Sequence, residues 1–87
     1  MLKKKILAPM QITEVQRRME VARIYNQQVD VWVWEKSTGD ITRLNGWYVL
    51  SGHWRGGTHN LKNRVSGAVR KIRDIKIFRF NGHEVYV

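Results

Sequence analysis

The side chains able to do chemistry are few and poorly grouped. His53, His59 and His83 are the strong nitrogen ligands, and the chain has no cysteine. His53 and His59 straddle the Gly56-Gly57 turn that could fold them together, but two imidazoles fall short of the four-ligand set of a structural zinc, and no standard zinc spacing is present. Asp30, Glu35 and Asp40 surround one strand and its turn, yet Asp40 suits a turn position and Glu35 a strand end, so they form no acid–base pair. Ser37, Ser51 and Ser66 stand in no nucleophile-elbow setting, and Gly52-x3-Gly56-Gly57 lacks the Lys-Ser/Thr ending of a phosphate loop. No catalytic residue, metal or cofactor is assigned, and the chain reads as a binding protein rather than an enzyme.

The basic residues say more. Arg55, Lys62, Arg64, Arg70, Lys71, Arg73, Lys76 and Arg79 fall within twenty-five positions, opposed only by Asp74. Like charges at that density repel, which an anionic partner relieves. Trp47, Tyr48 and Trp54 precede the cluster, and Phe78, Phe80 and Tyr86 close it. Cations interleaved with rings on strands grip nucleic acid, the phosphates held by charge and the bases stacked on the rings. Arg55, Lys62, Arg64, Arg70, Lys71 and Arg73 are the expected phosphate contacts, and Trp54, beside the Arg55-Gly56-Gly57 turn, is the expected stacking ring. Trp32 and Trp47 are expected in the core. The partner is DNA or RNA, or alternatively an acidic protein.

The whole chain carries the same bias. It has 87 residues, 16 Lys+Arg against 7 Asp+Glu, and a formal charge of +9. Six basic residues face two acids in Met1–Gln28, two face three in Val29–Gly52, and eight face two in His53–Val87, so the ends are basic and the centre is neutral. This length makes one domain, residues 1–87, whose stability must come from packing because disulfides are excluded. The Lys3-Lys4-Lys5 start is followed by too few apolar residues for a secretory signal, and no stretch is long enough to span a bilayer. Residues 1–9 read as a basic, flexible arm, and a cytoplasmic location is expected.

The elements that must position these groups follow from periodicity. Thr13-Glu14-Val15-Gln16 has the form of a capping box, and Ile12, Val15, Met19 and Ala22 make one apolar stripe, predicting a helix over 12–26. Val21, Ile24 and Tyr25 fall off that stripe and offer a contact for a partner or a second copy. From Val29 the period becomes two: Val29, Val31 and Val33 face away from Asp30, Trp32 and Trp34 on a strand expected to be covered on both sides. Asn45-Gly46 interrupts the strand region from Ile41 to Trp54 as a turn or a bend, and Asn60 to Gly67 reads as a polar connection. Ala68 to Phe80 alternates with a slip at Arg73-Asp74 that suggests a bulge. Asn81-Gly82 predicts a two-residue hairpin that pairs Phe80 with His83 and Arg79 with Glu84. The class is α+β: one N-terminal helix packed on a small, strongly bent antiparallel sheet of about five strands spanning residues 29–87, or a partly open barrel.

That order of elements resembles an SH3-like small barrel. The run Arg70 to Val87, with Gly46-Trp47 upstream, is similar in style to small uncharacterised proteins of bacteriophages and mobile elements. The resemblance covers about the last two thirds of the chain and implies an accessory or regulatory binding module; separately, a monomer or a homodimer through the off-stripe helix residues is expected. It assigns no functional residue, since this fold hosts many roles.

Overall fold

The computed structural model describes residues 7–35, 39–53 and 55–87. The Lys3–Lys5 arm, the middle of the turn after Glu35 and Trp54 lie outside them. The chain runs β1 (Met10–Gln11), α1 (Ile12–Ile24), β2 (Gln28–Trp34), β3 (Ile41–His53), β4 (Thr58–Lys62), β5 (Val69–Arg73), a 3-10 turn (Asp74–Lys76), β6 (Ile77–Phe80) and β7 (His83–Tyr86). These strands form one open, mixed sheet in the order β1-β7-β6-β2-β3-β4-β5. Every neighbouring pair is antiparallel except β1 with β7, which run parallel through Met10–Val85 and Gln11–Tyr86.

The helix and its apolar stripe are as expected: Val15, Met19 and Ala22 are buried, and Ile12 packs beside them. Its end is earlier, at Ile24, with Asn26 turning the chain at φ 56. The capping box does not form. The helix begins at Ile12, so Thr13 lies inside it; Gln11 is the N-cap with no side-chain capping bond, and the Gln16 amide donates instead to Asp74 Oδ2 at 2.9 Å. Below the helix lie Val29, Val31 and Val33 of β2, Leu44 and Val49 of β3, Leu61, Ile72, Ile77 and Phe80, with Trp47 packed against them.

Strand β3 is long enough to serve two halves of the sheet. Its first part pairs with β2 and its second with β4, and it bends where Asn45 and Gly46 sit opposite Asp30. Gly46 adopts φ 72, which glycine reaches without strain, and its N–H donates to Asp30 Oδ1 at 2.7 Å. The hairpin turn follows the sequence expectation: Asn81 and Gly82 have φ of 48 and 84, and Phe80–His83 and Arg79–Glu84 are in register.

Four expectations are corrected. The sheet has seven strands rather than about five, and it is mixed. Thr58–Lys62, part of which read as a polar connection, is a strand because His59 and Leu61 alternate inward, and a polar imidazole hid that period. The slip at Arg73-Asp74 is not a bulge but the 3-10 turn, which ends β5 and starts β6 as a separate strand. Finally, β2 is covered on one face only: its valines are buried, but Trp34 keeps 48% of its surface exposed and Trp32 is half-buried. Trp32 therefore belongs to the outer face, not the core. Among the described residues no helix is long and apolar enough to cross a membrane.

Candidate nucleic-acid interface

The outer face of β2 and its neighbours is built by period-two alternation: with the valines turned inward, the residues between them must point out. Trp32 is in register with Arg43 on β3 and Arg79 on β6, and both guanidiniums lie over its ring, 4.6 and 4.9 Å from the centroid. Its indole N–H donates to Asn45 Oδ1 at 3.0 Å, which fixes the ring on the sheet. Phe78, also outward on β6, meets Trp32 edge-on at 6.2 Å and Trp34 at 4.7 Å with the planes tilted by 32°. Ile41, opposite Trp34, is 40% exposed. The result is a contiguous patch of three rings bordered by two arginines, with no helix or strand of the described residues over it.

The sequence-predicted cations divide around this patch. Lys62, Lys71 and Arg73 come together on the outer face of β4 and β5, where Lys71 pairs with Asn60, Arg73 with Thr58 and Lys62 with Val69. Arg64, in the β4–β5 turn, lays its guanidinium 3.5 Å over the Tyr48 ring and donates to Asn26 Oδ1. Arg70 is set apart. It alternates to the other side of β5 and donates to Glu35 Oε1 at 2.9 Å. Arg55 sits in the β3–β4 turn and has interactions of its own. Trp54, the expected stacking ring, lies outside the described residues. Residue order did not single out the patch of Trp32, Trp34, Phe78 and Arg43, although the Val/Trp alternation already set both tryptophans opposite the valines; a cover was expected for that face, and the structure leaves Trp34 48% exposed. Arg79 was counted among the cations without being assigned to the site.

The helix cations are paired within the helix. Arg17 and Arg18 both donate to Glu14, and the Arg17 bond holds the Glu14 carboxyl below the usual carboxylate range. Arg23 pairs with Glu20. On the sheet, Glu35 is likewise held low, first by the Thr42 hydroxyl and then by Arg70 and the charge of Lys76.

One polar cluster is buried. His59 Nδ1 lies 2.7 Å from Asp74 Oδ1, Gln16 donates to the other Asp74 oxygen, and Glu20 Oε2 stands 3.5 Å from His59 Nε2. His59 and Asp74 side chains are both fully enclosed, so they join β4, the 3-10 turn and the helix and meet no substrate. His83 Nδ1 is bonded to the Ala8 carbonyl oxygen. Among the described residues no three His, Cys, Asp or Glu side chains converge as a metal set.

Comparison with known proteins gives no matching family model, no similar curated protein and no similar solved structure, so the functional reading rests on this geometry.

Proposed function

We propose that the chain is a non-enzymatic nucleic-acid-binding domain that holds DNA or RNA on the outer face of its sheet. The observation that carries this reading is the ring patch of Trp32, Trp34 and Phe78 with Arg43 and Arg79 beside it on an uncovered face. Rings there take bases and guanidiniums take phosphates. Lys62, Lys71 and Arg73 extend the positive surface on the next two strands, and the formal charge of +9 draws a polyanion toward it. The SH3-like reading belongs to the same proposal. It is supported by β3 serving both halves of the sheet and by the 3-10 turn that returns the chain to pair β6 with β2.

Fluorescence anisotropy over a salt series tests the reading. Log affinity falls linearly with log salt, with about 0.7 to 0.9 in slope for each phosphate neutralised. Joint replacement Arg43→Ala with Arg79→Ala weakens binding to every sequence and flattens the slope. No binding at about 50 mM salt removes the proposal. A second reading, a protein-interaction or homodimer module, is favoured by the helix: Val21, Ile24 and Tyr25 are 43%, 65% and 70% exposed. It expects an association through the helix that salt barely changes.

A further inference from the structure

The sheet leaves an opening where its curl stops short. Among the described residues edge strand β5 pairs with β4 alone, and its other side comes near the end of β2 and the 3-10 turn. Between them lies a cleft of about 200 Å³ lined by Trp34, Glu35, Arg70, Lys71, Arg73 and Lys76. Four cations thus meet one carboxylate. Arg70 is committed to Glu35, and that ion pair joins the two walls of the cleft. Lys71, Arg73 and Lys76 make no side-chain hydrogen bond or ion pair among the described residues. Trp34 belongs both to this cleft and to the ring patch, so a base on the patch sits beside the cations.

We infer that the cleft receives the terminal phosphate of a single-stranded nucleic acid whose end base stacks on Trp34. The inference rests on the nucleic-acid reading and specifies the ligand of that face. Three arguments select a strand end. A phosphomonoester carries about −1.5 to −2 charge at neutral pH, against −1 for an internal phosphodiester, and the larger charge suits Lys71, Arg73 and Lys76, whose side chains are in no hydrogen bond among the described residues. The volume suits a phosphate group and is smaller than the roughly 300 Å³ at which pockets begin to enclose a whole small ligand. The Arg70–Glu35 bridge across the walls obstructs a chain running through. A duplex keeps its base faces stacked inside, so the ring beside the cleft selects an unpaired end.

The test uses the full chain and identical short single strands ending in phosphate or hydroxyl, at the 5′ end in one pair and the 3′ end in another, each labelled at the opposite end. Anisotropy should show one phosphorylated end binding about tenfold tighter than its hydroxyl counterpart, as expected for a hydrogen bond to a charged group. Lys76→Gln should reduce that ratio severalfold. Trp34→Ala should weaken both members of the pair. Equal affinity for phosphate and hydroxyl ends overturns the inference and leaves the nucleic-acid reading standing, whereas no binding to any strand at low salt overturns both. A free nucleoside monophosphate competing as well as the phosphorylated strand overturns the strand-end assignment in favour of a free nucleotide.

Discussion

Replacing Gly52 with alanine puts one methyl group where the structure has no room. Gly52 faces His59 across the β3–β4 pair, and a Cβ there would stand 2.4 Å from His59 Cδ2, 2.6 Å from Nε2 and 3.3 Å from Glu20 Oε2. The Gly52 backbone is not left-handed, so the cost is contact and not torsion. Relief requires the imidazole to move, yet it is fully enclosed and bonded at 2.7 Å to Asp74, itself fully enclosed. Shifting the ring breaks that bond and leaves a buried carboxylate short of a partner, at a cost of about 3 kcal/mol or more. Set against a total stability of about 5–15 kcal/mol, that is a large fraction. At about 4–8 °C per kcal/mol for a domain of this size, the melting temperature should fall by roughly 12 °C or more. Circular dichroism melts of Gly52→Ala, His59→Ala and the double variant measure it. The double variant should be no less stable than His59→Ala alone, because the smaller side chain leaves room for the new methyl. Gly52→Ala melting within about 2 °C of the parent would refute the enclosed cluster as described.

Two further expectations concern the ring patch and Glu35. Trp34→Ala should cost about 1 kcal/mol of stability, the worth of its contact with Phe78, while weakening nucleic-acid binding by about 1–3 kcal/mol; Phe80→Ala, at a position with no exposure, should cost about 3–5 kcal/mol of folding, and paired urea melts and affinities separate the two. Glu35 is the acid-sensitive group: its folded value is depressed, first by the Thr42 hydroxyl, so its stabilisation is complete above the unfolded carboxylate value and is lost as pH falls through the lower folded one. Between about pH 5 and 3, the parent's urea midpoint should drop more steeply than that of Glu35→Gln.

Much of the frame could be read from residue order, because the burial pattern was strong there. The helix stripe, the inward valines, the bend at Asn45-Gly46 and the Asn81-Gly82 hairpin all rest on local periodicity or on the backbone freedom of glycine and asparagine. Strand β4 escaped because its inward residues are His59 and Leu61, and the imidazole is tolerated inside only through Asp74, fifteen positions away. Gln16, read as half of a capping box, bonds to the same distant carboxylate. Periodicity carries no information about such partners. Alternation separated Arg70 from Lys71 and Arg73, as the register shows, whereas Trp34 lay too far from the cations in sequence to be linked with them. What brings Trp34 beside Lys71, Arg73 and Lys76 is the curl of the sheet, a property of the whole chain.

The central position of β2 has a consequence for how the molecule comes into being. Its neighbour on one side, β3, follows directly, but the other, β6, is drawn from near the end of the chain, where Phe80 comes to lie beside Val31. Until that segment arrives, Val-Asp-Val-Trp-Val-Trp has an open edge and apolar groups on both surfaces, the combination from which strands recruit foreign strands. Asp30 is the one charge within it, and its carboxylate is already occupied by Gly46 in the local hairpin. During synthesis the chain thus exposes its most adhesive segment early and covers that edge last, so its yield is governed by how soon β6 docks rather than by the depth of the finished core.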